Sequence, residues 1–229
     1  MYGRSPPGRE FSIDLPRFSR SEAAFVIGVP IAWAVLLLFH PSGDGTSIYA
    51  DLQDNVTAML AVHIGMMIFV PLFAVVIYLL LRGIESTAAR VARIALIPFV
   101  VLYVAWEAMQ GIATGVLADK VNSLPEAEQA VGADLIQEFA ESPLVRDSGA
   151  LVIPASIALV TATIALGFAL RDAGAPRWAP LLFGFAGALI TAHPPPFGPT
   201  GLALFVIGTV VIMRRQHLVE EPAPHPGSA

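Results

Sequence analysis

Glu107 is the residue of this chain whose surroundings are most suited to chemistry. It lies in the apolar run YVAWEAMQ (residues 103–110), about 12 residues before the acidic segment that begins at Asp119. In a helix, that spacing places the carboxyl roughly 18 Å below the helix end, near mid-membrane. An ionisable side chain is costly in lipid, so it should face other helices or water. Glu107 is therefore a candidate for a proton-carrying or cation-holding carboxylate or for a general acid. The alternative is a neutral carboxyl that hydrogen-bonds between helices.

Polar and small residues share the predicted helix face of Glu107. Tyr103 and Gln110 lie at i−4 and i+3, and Gly111 follows at i+4. His63 lies about eight residues, or roughly 12 Å, from the start of another apolar segment, which is nearly the depth of Gln110. The sequence therefore predicts a ligand-binding site formed by His63, Glu107, Gln110 and Tyr103.

Methionines surround His63 at helical spacing. Met59 and Met66 lie at i−4 and i+3 from the histidine. Thioether and imidazole ligands suit Cu(I), and a histidine in a membrane can also ligate haem iron. This pattern predicts His63, Met59 and Met66 as metal ligands, with copper or haem as the cofactor. The alternative is that the methionines fill gaps in an apolar core.

Two further histidines are expected at the same level of the molecule. His40 follows the first apolar segment and His193 follows the fifth. Each is most simply interpreted as a residue of the membrane interface. However, His40, His193 and the predicted site all fall in the same half of the membrane. Polar groups from several segments at one level are more informative than any one of them.

The composition requires lipid as the solvent of this chain. Of its 229 residues, 55% are hydrophobic and only 14% are charged, with a mean hydropathy of +0.70. A soluble domain carries about 25% charged residues. The absence of cysteine excludes disulfides and thiolate metal sites. No basic cluster suggests a nucleic-acid partner, so the predicted partner is the lipid bilayer.

Six apolar segments approach the ~20 residues that cross a bilayer as a helix. The first could be a signal peptide, but no small-residue cleavage site follows it. The last two are short and could form a re-entrant hairpin around Pro194, Pro195 and Pro196. The predicted fold is an all-α bundle of six transmembrane helices. The spans are Ala23–Phe39, Val56–Leu81, Ala89–Ala118, Ala150–Leu170, Trp178–Ala192 and Thr200–Met213.

The basic residues predict the orientation of the bundle. Eleven of the 13 fall in alternate connections, and only Lys120 and Arg146 fall in the others, which are acidic. Lys and Arg accumulate on the cytoplasmic side. With an even number of spans, both termini are predicted to be cytoplasmic and the protein to lie in the plasma membrane.

Three regions are expected along the chain. Residues 1–21 and 216–229 should be cytoplasmic tails, the second of them disordered, and residues 22–215 should form the transmembrane domain. Between spans three and four, Ser123 and Glu126 match a capping box for an amphipathic helix over about 123–141. Its predicted apolar face carries Leu124, Val131, Leu135 and Phe139. This helix would rest on the outer rim, either as an inert cover or as a lid.

Two resemblances accompany these patterns. The order of spans and the borders YLLLR (78–82) and RDAGAPRW (171–178) resemble six-span membrane proteins of actinobacterial type that carry a domain of unknown function. The run AWE (105–107) resembles the Trp-Glu pair of membrane-bound terpene cyclases. That second resemblance implies that Glu107 protonates an epoxide or alkene.

Two classes of function follow from the sequence. The first is a binding or transport module with an outward polar pocket for a small lipophilic or cationic ligand. The second is a membrane-embedded enzyme that uses Glu107 as general acid. A structural subunit of a membrane complex is a further alternative, and the sequence predicts no particular oligomeric state.

Overall fold

The computed structural model describes residues 15–41 and 47–220, with the backbone alone for 216–220. This part of the chain is all-α and contains nine α-helices and one π-helical segment. Most of the predicted N-terminal tail and the chain from residue 221 lie outside the described residues. The helices are α1 (Arg20–Leu37), α2 (Ile48–Leu52), α3 (Val56–Leu80), α4 (Thr87–Trp106), the π segment (Glu107–Ala113), α5 (Thr114–Asn122), α6 (Glu126–Ala140), α7 (Val152–Asp172), α8 (Ala179–Thr191) and α9 (Phe197–Glu220).

Five of the helices are long and apolar enough to cross a membrane. They are α1, α3, the continuous 36-residue helix Thr87–Asn122, α7 and α9, whereas the apolar α8 has only 13 residues. Large apolar side chains cover their outward faces, among them Ile94 (68% exposed) and Ile157 (62% exposed). A continuous apolar exterior needs lipid around it. The chain is therefore a multi-pass membrane protein.

The five long helices and the shorter α8 close into a ring. Around this ring, α1 packs between α3 and α9, α8 between α9 and α7, and α4 between α7 and α3. Arg82 follows α3, Arg93 donates to the Leu81 and Ile84 carbonyls, and Arg171 lies in the last turn of α7. We call this end of the ring the arginine end. His40 and His193 lie at the opposite end, which we call the histidine end.

Aromatic side chains fill the centre of the ring. Trp33 contacts Phe73 edge-on at 5.4 Å between ring centroids, Phe73 contacts Phe205 at 4.7 Å, and Phe205 contacts Phe183 at 5.1 Å. All four side chains are fully buried. We call these residues the aromatic stack. Because they come from four different helices, they join α1, α3, α8 and α9 into one core.

The helices α2, α5 and α6 form a separate layer at the histidine end, which we call the cap. Tyr49, Leu52, Val121 and Ile136 bury a second apolar cluster inside it. The Tyr49 hydroxyl donates to Asn122 Oδ1 at 2.7 Å, and Asn122 Nδ2 donates to the Gln53 carbonyl at 2.8 Å. The cap therefore has its own small core and its own polar links.

The amphipathic helix predicted between spans three and four exists, but its start and its buried face differ from the prediction. It begins at Glu126 with Pro125 at the N-cap, while the Ser123 hydroxyl donates to the Asp119 carbonyl of the preceding helix. The predicted capping box at Ser123 is wrong because α5 continues to Asn122 and uses Ser123 at its own end. A capping box does occur at the start of α1, between Ser19 and Glu22.

The buried face of α6 carries Ile136 and Ala140, whereas Val131 and Leu135 are 64% and 60% exposed. Gly132 explains this rotation. A Cβ at Gly132 would lie 2.5 Å from Val121 Cγ2, so only glycine allows α6 to approach α5 this closely. The predicted face is therefore wrong, since close backbone packing selects small residues rather than large apolar ones.

Candidate metal centre

Three histidines from three different helices converge at the histidine end. His40 follows α1, His63 lies two turns inside α3, and His193 follows α8. The candidate ligand atoms of the three rings all lie within 4.8 Å of one another. Ring centroids are 5.0 Å apart for His40 and His63 and 4.8 Å apart for His40 and His193. His63 and His193 are buried and His40 is half-buried.

Backbone carbonyls fix the orientation of two of these rings. His63 Nδ1 lies 2.8 Å from the Met59 carbonyl oxygen, and His40 Nδ1 lies 2.7 Å from that of Pro41. A carbonyl only accepts hydrogen bonds, so each Nδ1 carries the hydrogen. In the neutral ring, Nε2 then presents its lone pair. Metal-binding histidines are held in this way, with the second ring nitrogen bonded to a carbonyl or carboxylate.

Two of the nitrogens are spaced as closely as two ligands of one cation. His193 Nε2 lies 3.1 Å from His40 Nε2, which is also hydrogen-bond distance between the two rings, and the three ligand atoms lie within 4.8 Å of one another. Two nitrogens bound to one tetrahedral zinc ion at 2.0–2.1 Å are about 3.3 Å apart. Burial lowers the pKa of His40 and of His193, which lie beyond the ends of α1 and α8. Both rings are therefore neutral at pH 7, as metal ligation requires.

Glu107 lies against this cluster without a hydrogen bond of its own. Its Oε2 is 3.7 Å from His63 Nε2, and its side chain is fully buried. Neither carboxyl oxygen has a hydrogen-bond partner among the described residues, and the same holds for the Tyr103 hydroxyl and the Gln110 amide oxygen. Buried polar groups in proteins are almost always hydrogen-bonded. Three such groups beside three histidines indicate a site that is completed by a ligand.

The π segment brings Glu107 and Gln110 to the histidines. It interrupts the long helix Thr87–Asn122 at Glu107–Ala113, and the Thr114 hydroxyl donates to the Met109 carbonyl within it. Single π turns inside α-helices occur frequently at functional sites. Gly111 makes the approach to α3 possible, because a Cβ there would lie 1.9 Å from Cδ2 of His63.

Trp106 forms the wall behind His193. Its ring lies 5.3 Å from that of His193 and 5.5 Å from that of Tyr103. The indole N–H donates to the Val145 carbonyl at 2.7 Å. The segment that precedes α7 therefore holds Trp106, and Trp106 limits the movement of His193.

A pocket of about 130 Å³ leads to the cluster from the histidine end. His40 is shared by the pocket and the histidine cluster, whereas Asp51 belongs to the cap. None of the lining residues is Lys or Arg. The lining residues are His40, Pro41, Ile48, Asp51, Leu52, Met59, Gln110 and Thr114.

Deeper in the ring, Trp33 Nε1 is another buried polar atom without a partner among the described residues, but an indole N–H only donates and cannot bind a cation. Besides the site and Thr114, the buried polar side chains described are Thr163 and Thr209, and both hydroxyls donate to carbonyls of their own helices. The aromatic stack fills the core at this depth. The pocket lined by described residues therefore reaches the site at His40, from the histidine end.

The structure brings together most of the residues that the sequence singled out. Glu107 and His63 are adjacent, and Gln110 lines the pocket that leads to them. Met66 is buried in the core of the ring, whereas Met59 belongs to the cap cluster. Nothing in the structure tests the predicted copper ligation by Met59 and Met66, which stays a prediction.

The sequence places His40 and His193 at the level of the predicted site, but it gives them no place in the site itself. In the structure their rings lie against each other and against His63. The available signal was positional. Three of the five histidines of the chain fall near the same ends of three apolar segments.

Comparisons with protein-family models, with curated proteins and with solved structures found no match to this chain.

Proposed function

We propose that the chain crosses the plasma membrane six times, with both termini in the cytoplasm. The arginines of alternate connections support this orientation, which makes the histidine end the outer one. The 13 residues of α8 are about 20 Å long, less than the ~30 Å hydrocarbon core. Because His193 contacts His40, α8 extends to the level of the buried site, and we assign it as the fifth span. Kinship with the six-span actinobacterial families stays a prediction.

We propose that the outer site binds a divalent transition-metal ion. This proposal rests on the convergence of His40, His63 and His193. Hydrogen bonds from Nδ1 to backbone carbonyls orient the rings of His40 and His63. Imidazole suits zinc, copper, nickel and iron, and three-histidine sites are typical of zinc. The outward pocket suits a cation better than an anion, because the acidic Asp51 forms part of its lining.

A binding or catalytic site fits the surroundings better than a transport path does. A transported ion needs polar groups on both sides of its binding site. The described residues place such groups towards the pocket, while the aromatic stack closes the other side. We therefore favour a site that is loaded from outside and retains its metal.

Metal analysis of the purified protein tests this function. The full chain, purified in detergent and incubated with Zn²⁺, should hold about one equivalent after dialysis, measured by inductively coupled plasma mass spectrometry. Loss of an outer-shell partner weakens metal sites ~10–100-fold, and loss of a ligand weakens them further. Replacement of His40, His63 or His193 by Gln should therefore leave less than one tenth of the metal.

His217→Gln is the matched control, since it removes a histidine of α9 at the arginine end. It should retain the full equivalent. Equal metal content in all four variants would refute the proposed centre. Met66→Leu, loaded with Cu(I) in parallel, decides whether a thioether contributes as the sequence predicted.

A further inference from the structure

The chemistry of the three-histidine centre depends on its remaining coordination positions. Catalytic zinc sites have three protein ligands and bind water or substrate in the fourth position, whereas structural sites have four protein ligands. The three ring nitrogens provide three ligands here. His40 is shared by the cluster and the outer pocket, so a metal bound to it is reached by water from that pocket.

Glu107 is the group that can act on such a water. Its Oε2 lies 3.7 Å from His63 Nε2, farther than the 3.1 Å between the nitrogens of His40 and His193. Two ligands of one tetrahedral zinc are about 3.3 Å apart, so this carboxyl lies at the edge of the coordination sphere. Its oxygens have no other hydrogen-bond partner among the described residues. A carboxylate in that position can accept the proton of a metal-bound water.

The pocket also limits the size and the charge of the substrate group that can enter. Its volume of about 130 Å³ is below the 300–1,000 Å³ of sites that enclose a whole drug-sized ligand. It therefore holds only the reacting end of a molecule. The pocket does not favour a negatively charged phosphate, because its described lining contains Asp51 and no Lys or Arg. A neutral acyl group fits better, and the Gln110 side chain in the wall can donate to its carbonyl oxygen.

We propose that this centre hydrolyses carboxylic esters presented from the outer side of the membrane. His40, His63 and His193 would hold the metal, which would make a water in its open position more acidic. Glu107 would accept the proton of that water as its oxygen forms a bond to the ester carbonyl carbon. The bond between that carbon and the alcohol oxygen then breaks. The leaving alkoxide takes the proton from Glu107, which restores the carboxylate. Water and ester are consumed and acid and alcohol are formed. This inference rests on the proposed metal site.

Two measurements on the full chain in detergent test the proposal. With Co²⁺ loaded, azide should change the visible absorption bands of the metal, because an open position accepts the anion. With Zn²⁺ loaded, the protein should hydrolyse p-nitrophenyl acetate or, in mixed micelles, p-nitrophenyl palmitate. Faster turnover of the acetate would identify a small soluble ester, and faster turnover of the palmitate a lipid ester.

Glu107→Gln distinguishes a carboxyl that accepts a proton from one that binds the metal. It should retain the zinc equivalent and the azide response but lose hydrolysis by about 100-fold or more, the usual contribution of a general base. Thr163→Val, which alters a buried hydroxyl outside the site, should hydrolyse at the wild-type rate.

Several outcomes would overturn the hydrolytic proposal while the metal site stands. They are a metal-loaded wild type that hydrolyses neither ester, cobalt bands that azide leaves unchanged, and a Glu107→Gln variant that loses its zinc. Failure of the proposed function has a different signature, because the wild type would then hold no metal at all.

Discussion

At the scale of one residue, the buried carboxyl of Glu107 opposes the stability of the fold. Its carboxyl is fully buried and has no hydrogen-bond partner among the described residues. A buried polar group without a partner costs ~1–3 kcal/mol. The sequence suggested, as an alternative, a neutral carboxyl bonded between helices, and the structure contains no such bond. In metal-free protein, this residue should therefore weaken the fold.

Glu107→Leu should accordingly stabilise the metal-free protein. The change removes the unpartnered carboxyl, so we expect a gain of about 1–3 kcal/mol. Thermal unfolding in detergent with a chelator present measures it. Thr163→Val is the matched control, because its hydroxyl does bond the Leu159 carbonyl and its loss should not stabilise. A lower melting temperature for Glu107→Leu would show that the carboxyl has a structural partner.

The sequence predicted part of this site for a definite reason. Helical rise alone gives the depth of a residue, so Glu107, Gln110 and His63 could be placed at similar levels from their distances to the segment ends. The positions of His40 and His193 depend on how the ends of α1 and α8 turn over the bundle. That geometry comes from packing between helices, which residue spacing does not contain.

At the scale of the elements, apolar length predicted the long helices well and local signals predicted their details poorly. The predicted span Val56–Leu81 differs by one residue from α3, which ends at Leu80. No local preference in EAMQGIA indicates a π-helix. Gly111, which packs closely against His63, is one of these seven residues. We therefore attribute the π-helical turn to this tertiary contact.

The attachment of α6 gives a prediction at this scale. Gly132→Val should push α6 away from Val121, because even a Cβ would lie 2.5 Å from Val121 Cγ2. Hydrogen exchange of the α6 amides, followed by mass spectrometry, should accelerate by about tenfold for each 1.4 kcal/mol of lost packing. The neighbouring Val131→Ala changes an exposed side chain and should leave exchange as in the wild type. Unchanged exchange in Gly132→Val would mean that α6 is not held through this contact.

For the whole molecule, the distribution of Lys and Arg predicts the orientation in the membrane. The cysteine-free sequence makes the test simple. Ser148 is exposed near the histidine end, and Glu85 is exposed near the arginine end. Each can be replaced singly by cysteine. Ser86 is unsuitable because its side chain accepts from the Ala89 N–H at the start of α4.

In intact cells, an impermeant maleimide should label Ser148→Cys and leave Glu85→Cys unlabelled. After permeabilisation, both should react, which controls for accessibility. The reverse pattern in intact cells would place the histidine end in the cytoplasm.

The narrow pocket at the histidine end also bears on how fast a metal at the proposed centre would exchange. A passage of about 130 Å³ admits water and small anions, but it is too small to enclose a hexadentate chelator such as EDTA. Such a chelator can reach the metal only after α2 moves away from Gln110 and Thr114. The cap can make this movement by itself, because its apolar cluster is separate from that of the ring. Metal release should then proceed at a rate independent of chelator concentration. The half-life of the bound ion would thus time the spontaneous opening of the cap.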